Sequence, residues 1–415
     1  MAQNTVIVIG GGVVGATSAY YLSRAGWKVT VIDRASLGSA CSHGNCGYVS
    51  PSHVLPLAEP GAVRRALKSM LSDSSPFHIK PRFDPALWTW LLSFAVRCNR
   101  RKMLESATAI QAILNSSVKL YQQLLIDEHI DCDWQDRGLL FVFLTRGEME
   151  HYAETDRLLT DTFCCPTTRY DGDALVQLEP ALKPGLAGAF HYACDKHLRP
   201  DRLMHAWREV LDRCGVTVVE NTTVGGFRTE AGKARAVETS NGDIAADSFV
   251  LATGVWTPLF ESQLGCHLPI QPGKGLSITM PRPAICPKVP MMFHEHRVGV
   301  TPFRDGYRLG STMEFAGYDE TINPRRLALL SAGARHYLQE PTAEPIEETW
   351  YGWRPMTPDS RPIIDRSPAL KNVIIAAGHN MLGLSMATGT GKLVSELLSE
   401  ITPHIDPRPY ASTRW

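Results

Sequence analysis

VIVIGGGVVGATSAYYLSRAGWKVTVIDR, residues 6–34, reads as strand, turn, helix and strand. Thr5 to Ile9 is β-branched and apolar, as a strand buried on both faces should be. Gly10-Gly11-Gly12-Val13-Val14-Gly15 then satisfies G-x-G-x-x-G, between that strand and a helix from Ala16 to Ala25. Gly26 stops the helix, and Lys28 to Ile32 is a second apolar strand that runs into Asp33. Gly10 can take the tight turn. Gly12, without a Cβ, lets a pyrophosphate approach the backbone, and Gly15 lets the helix pack closely on the strand. The helix N-terminus offers free N–H groups and a positive dipole end to phosphates, with Val13 and Val14 of the turn as further cofactor contacts. Asp33 is placed to accept hydrogen bonds from ribose hydroxyls, with Arg34 beside it as a further contact. Its carboxylate would repel a 2′-phosphate, which disfavours NADP. The turn specifies a dinucleotide and leaves NAD and FAD open.

Outward from this βαβ opening, the 415 residues exceed one hydrophobic core, so two domains are expected. Lys plus Arg and Asp plus Glu both number 42, which leaves no global basic field to hold a nucleic acid. The ten cysteines follow no disulfide framework, as reduced thiols in a cytoplasmic protein would not. Met1 to Asn4 lacks the basic start of an export signal, and no apolar run reaches the ~18 residues of a membrane span.

Helical patterns are expected at Ala62–Leu71, Leu87–His129, Glu148–Leu159, Pro200–Cys214, Pro324–Leu338 and Leu384–Leu398. Strands are expected at Leu139–Leu144, Val216–Val219, Ala234–Thr239, Ala245–Leu251 and Val373–Ala376. Several short strands are expected within Ile285–Tyr318, with turns at Asp305-Gly306 and Gly310. Gly38 to Ser52 reads as a loop. Strand–helix alternation at both ends frames a strand-rich centre. The reading is an α/β fold: a Rossmann-like nucleotide domain built from residues 1–85, 196–265 and 350–415, with a strand-rich α+β substrate domain inserted as 86–195 and 266–349.

Three segments together resemble the glycine oxidase and D-amino-acid dehydrogenase branch of the FAD-dependent amine oxidoreductases, the DAO family. They are residues 6–34, the loop SHGNCGYVSP at 42–51, and GWRPMTPDSRPII with AAGHNMLGLSMATGTGKLVSELL between Gly352 and Leu398. The bacterial D-amino-acid dehydrogenases, with a motif of the form G-x-R-P-M-T-P-D, and the D-hydroxyproline dehydrogenases are the nearest likeness. The resemblance implies FAD, and so a Rossmann-like FAD-binding domain. It implies cofactor contacts at Ser42, Asn45, Gly47 and Tyr48, at Val224, at Thr253 and Gly254 of the strand ending in ATG, and at Gly378, His379, Gly383, Leu384 and Ser385. A helix N-terminus near flavin N1 and O2 suits the charge of reduced flavin.

The resemblance also implies that Arg354 pairs with the substrate carboxylate, since a guanidinium matches a carboxylate bidentately. Tyr48 and His379 stand with Arg354 as catalytic candidates. Some relatives attach FAD through a cysteine just before T-P-D. Gly352 stands there, so the flavin is expected to be non-covalent. The family loop P-x-K-G-Y-S reads Pro272 to Ser277 with Leu276 for the aromatic, which opens the question of side-chain preference. The implied activity is oxidation of a D-amino or imino acid, D-hydroxyproline included. Hydride passes from Cα to flavin N5, and electrons go on to a quinone or respiratory acceptor. An oxygen-using oxidase and the flavin subunit of a hetero-oligomeric dehydrogenase are the alternatives.

Other features read more plainly. His294-Glu295-His296 lacks the four-residue spacing of a helical zinc motif and reads as strand or loop. Cys41 and Cys46 have no second cysteine pair, so no metal is expected. Pro85 to Val96 (PALWTWLLSFAV) is too short to cross a bilayer and is followed by Arg97, Arg100, Arg101 and Lys102. It reads first as a buried helix. A membrane interface or a partner-subunit contact through residues 85–102 is the alternative, and would make a cytoplasmic protein peripheral on the inner face of the membrane.

Overall fold

Thr5–Ile9 lies near the middle of a six-stranded sheet, with Lys28–Ile32 on one side and Ser248–Leu251 on the other, both parallel to it. Val8 pairs with Val31 and Val250, and all three are fully buried, as a strand covered on both faces requires. Thr217–Val219 extends one edge, and Val373–Ala377 followed by the antiparallel Ile363–Arg366 extends the other. The computed structural model describes residues 3–69, 77–80 and 82–415.

The first helix, Val13–Arg24, begins three residues earlier than expected, directly out of the glycine turn. The last, Gly383–Leu398, lies against it, and its small residues explain how closely. A Cβ on Gly391 would stand 2.6 Å from the Thr17 carbonyl carbon, and Thr17 Oγ1 donates to the Ala387 carbonyl at 2.9 Å. On its other side Thr388 meets Ser117 of the helix Arg100–Asp127 at 2.8 Å. The ATGTG run is therefore the meeting surface of three helices.

The second unit is a ten-stranded sheet. Its longest strands are Gln271–Met280 and Glu348–Met356, antiparallel, with Gly273 opposite Arg354 and Gly275 opposite Gly352. Neither was expected as a strand, because prolines and glycines interrupt the apolar alternation. The strands Met291–Phe293, Val298–Pro302, Tyr307–Gly310 and Met313–Phe315 follow, with the expected turn closed by the Phe303 N–H on the Gly306 carbonyl at 2.9 Å. The helix Pro324–Ala334 covers the far face, against Leu276, Ile278 and Met280. Leu276 thus belongs to that apolar core.

Three expectations change in detail. The continuous helix at Leu87–His129 is two, Pro85–Arg97 and Arg100–Asp127. Asn99 separates them because its side chain accepts the Lys102 N–H and caps the second. The strand at Ala245–Leu251 divides into the end of Gly242–Ala245 and Ser248–Leu251. The helix from Ala62 is described to Ser69, so its expected last residues lie outside the described ones. The strand Phe77–Ile79, within the segment expected for the nucleotide domain, joins the large sheet, and Glu348–Met356 straddles the expected boundary at 349/350.

Candidate active site

A cavity of about 1560 Å³ runs between the two sheets, from the glycine turn to Arg354. That exceeds the ~300–1,000 Å³ of an ordinary small-ligand pocket and suits a dinucleotide together with a substrate. Gly10 holds a φ of 105°, and a Cβ there would lie 2.5 Å from the Ala252 carbonyl oxygen. A Cβ on Gly15 would overlap the Gly10 carbonyl oxygen. Gly15 is thus a packing residue behind the turn, whereas Gly10, Gly12, Val13 and Val14 face the cavity.

Asp33 does more than wait for a ribose. Its Oδ2 accepts the Gly11 N–H at 2.6 Å and its Oδ1 the Ala35 N–H at 2.9 Å, so it braces the turn. Burial raises its affinity for a proton, against those two bonds. The Val13 N–H is not free as expected, because it donates to Ser42 Oγ at 2.9 Å. Ser42 therefore pins the 42–48 loop to the helix start. Arg34 lies with its guanidinium 3.7 Å from the centre of the Trp256 ring, and both line the cavity with Val224, Thr253 and Gly254.

The 42–48 loop is held from both sides. Asn45 folds it on itself, accepting the Gly47 N–H at 2.9 Å and donating to the Cys41 carbonyl at 3.2 Å. From the large sheet, the buried Arg308 donates to the Asn45 carbonyl at 2.8 Å, Ser277 to Gly44 at 2.7 Å and Thr301 to Cys46 at 2.7 Å. These three residues escaped the sequence reading. The only local signal was an arginine inside the apolar strand YRLG.

Tyr48 departs from its expected catalytic part. Its hydroxyl lies 2.9 Å from the Met291 carbonyl and 3.0 Å from that of Val300, so its single proton is committed to the sheet backbone. Burial pushes its pKa well above the usual tyrosine value. His379 departs too. It is buried, its Nε2 meets Thr390 Oγ1 at 3.0 Å, and desolvation pulls its pKa down to about 3. It is a neutral group on the cavity wall and a poor proton acceptor.

Ser385 donates to the Tyr48 carbonyl at 3.0 Å and accepts the Ser50 N–H at 3.1 Å, so the last helix is fastened to the same loop. Gly383, Leu384 and Ser385 line the cavity, whereas Gly378 packs against Thr357 behind it. Asn380 accepts the Thr357 N–H at 2.9 Å and donates to the Gly378 carbonyl at 2.8 Å. That locks the loop to the strand carrying Arg354.

Arg354 reaches across the ladder, and a Cβ on Gly275 would overlap its guanidinium. One Nη donates to the Thr312 carbonyl at 2.6 Å. No carboxylate among the described residues pairs with it, and burial lowers its proton affinity. Arginine nevertheless stays charged. An unpaired desolvated cation is costly, so the remaining donors are set for an anion that enters the cavity. Gly352 offers no thiol, and a Cβ there would overlap the Trp350 ring.

The walls fit FAD by this geometry. The turn at Gly10 and the missing Cβ of Gly12 leave the backbone at the cavity open to phosphates. Ser50 Oγ, Thr312 Oγ1 and Trp353 Nε1 are buried on cavity-lining residues without a protein partner among the described residues.

Comparison with known proteins agrees. The profile of a family described as FAD dependent oxidoreductase (DAO) matches residues 5–397. A D-amino acid dehydrogenase of Chromohalobacter salexigens is 34% identical over 413 residues, covering 97% of each chain. One of Azorhizobium caulinodans is 32% identical over 406 residues, covering 96% of this chain and 97% of its own. Among solved structures, glycine oxidase from Geobacillus kaustophilus superposes with a TM-score of 0.78 at 20% identity, covering 100% of both chains, a likeness of fold.

Proposed function

This chain belongs to the DAO family of FAD-dependent oxidoreductases, and from that premise we propose that it oxidises a D-amino or imino acid, D-hydroxyproline-type rings included, at Cα. The flavin, held without a covalent bond, would supply the two-electron acceptor for the Cα hydrogen. Arg354 holds the substrate carboxylate on two donors, with Gly275 as the bed for its guanidinium and the Thr312 carbonyl fixing its angle. Orientation in a shielded cavity then supplies much of the acceleration. Neither candidate side chain is a general base. His379 is neutral with a pKa of about 3, and the Tyr48 proton is engaged, so the amine sheds its proton before the transfer.

The same reading takes residues 1–85, 196–265 and 350–415 as the FAD-binding domain and 86–195 and 266–349 as the substrate domain, with Arg354 reaching from the former into the substrate site. Electrons pass on to a quinone-type or respiratory acceptor. The observation that favours a membrane source for it is the exposed stripe Trp88, Leu92 and Val96 on the helix Pro85–Arg97. Only Leu87 and Trp90 of that helix are buried, and Trp88 and Leu92 border the cavity mouth. Among the described residues no helix is long and apolar enough to cross a membrane, so this contact would be peripheral. Oxygen uptake compared with reduction of an artificial quinone, on one preparation, tests the acceptor. Faster turnover with oxygen would overturn it.

The unpaired Arg354 carries the proposal. Arg354→Leu is expected to keep the flavin spectrum and to raise the substrate KM about a hundredfold or more. An unchanged KM with flavin bound would remove the carboxylate role. Anaerobic bleaching of the flavin across a panel of D-amino acids, D-hydroxyprolines, glycine and sarcosine tests the activity itself.

A further inference from the structure

The large sheet turns one face to the 42–48 loop: Ser277 bonds Gly44, and Gly299 lies against Cys46 and Tyr48. At the edge of that face, the hairpin turn at residues 294–297 joins Met291–Phe293 to Val298–Pro302. Its last residue, Arg297, holds a φ of 53°. Hairpins normally give that left-handed position to Gly, Asn or Asp, because a longer side chain brings its Cβ close to the carbonyl oxygen there. The turn therefore carries this side chain at the expense of its own backbone.

Arg297 is accessible by surface area yet strongly desolvated. Both hold because the surface it reaches is the cavity wall. No carboxylate among the described residues forms an ion pair with it. Glu59, the acid with most influence on it, pairs with Arg65, and Glu148 acts on it less strongly. His53, Tyr152 and His294 share this part of the wall. Burial holds His53 at a pKa of about 4 and His294 at about 3, so both are neutral. Nδ1 of His294 is buried without a partner. Glu295 is occupied with the N–H groups of Leu144 and Thr145 and the Tyr337 hydroxyl.

Strand register relates this group to Arg354. Ser277 pairs with Gly310, and Gly310 with Gly299. Gly275 lies two residues back along its strand and Arg297 two residues back in the hairpin turn, on strands that are two spacings or about 10 Å apart where they pair. The Arg354 guanidinium lies on Gly275. Two guanidinium groups without a carboxylate partner among the described residues thus line one cavity, on the same end of strands two spacings apart, where the two carboxylates of a small diacid can be shared between them.

We propose that Arg297 is a second anion-binding point of the substrate site, and that the preferred substrate is an acidic D-amino acid, whose side-chain carboxylate Arg297 takes while Arg354 takes the α-carboxylate. This rests on the role proposed above for Arg354. A neutral substrate would leave Arg297 desolvated and unpaired, which is how a site rejects the analogue lacking a group.

The test is anaerobic flavin reduction in the holoenzyme by D-glutamate, D-aspartate and D-alanine, for wild type, Arg297→Gln and Arg297→Gly. Glycine suits the left-handed turn, so the second variant keeps the fold if the first does not. In the wild type, kcat/KM for the better acidic substrate is expected to exceed that for D-alanine at least tenfold. Both variants are expected to lower that ratio at least tenfold, mainly through the KM of the acidic substrate. A wild type that prefers D-alanine, or a ratio that the variants leave unchanged, overturns the assignment of Arg297 and leaves standing the proposed oxidation of a D-amino acid at Cα. Flavin left oxidised by every amino acid overturns both.

Discussion

Arg354 and His379 share one cavity and were treated oppositely by burial. The arginine keeps its charge and has no carboxylate partner among the described residues, so it is a receptor for an anion. The histidine gives up its charge, with a pKa of about 3. His379→Gln is therefore expected to leave the shape of the pH–rate profile intact, with a rate that rises as the substrate amine deprotonates. A limb of the kcat/KM profile that vanishes in this variant would restore a proton-transfer role to His379. Arg354 was legible in the sequence because its neighbours form a motif. The loss of the His379 charge was not, because it depends on walls from distant segments.

Among elements, the 42–48 loop shows how a stretch without regular structure is made rigid. Arg308, Ser277 and Thr301 hold its carbonyls from three strands, and Ser42 and Ser385 fasten it to two helices. Arg308→Lys loses the fork that spans Thr279 and Asn45. It is expected to weaken FAD binding about tenfold or more, measured by flavin release against denaturant or dialysis. Undiminished affinity would show that the loop holds its form alone. The helix Pro85–Arg97 makes the opposite case, an element whose apolar stripe has no internal cover. Trp88→Ser with Leu92→Ser is expected to abolish co-sedimentation with anionic lipid vesicles while leaving turnover with a soluble acceptor. Equal co-sedimentation would send the membrane reading away. The sequence read this helix as buried because periodicity reports that a face is apolar, and not what lies against it.

At the scale of the whole molecule, the cavity binds the fold together, since its walls run from Ile9 to Ser385. Neutral histidines line it, His53 at about 4 and His294 and His379 at about 3, and His197, buried in the strand beside Tyr48, is held at about 4. Each is depressed below the value of an unfolded chain, near 6.5. The unfolded state therefore binds more protons below that pH, and the stability these groups contribute is lost as pH falls from about 6.5 towards 3. The melting temperature is expected to drop steeply over that interval, and less steeply in His379→Gln, as calorimetry at stepped pH would read. Equal slopes would mean that other groups dominate. The sequence alone determined the βαβ opening, its dinucleotide turn and the motif around Arg354, because each is written in consecutive residues whose backbone needs are local. Only the tertiary structure decided that Asp33 braces the turn, that Tyr48 spends its proton on the sheet, that Gly275 makes room for Arg354 and that Arg297 lines the same cavity. Those relations join residues up to hundreds of positions apart, through strand register and burial that no local spacing encodes.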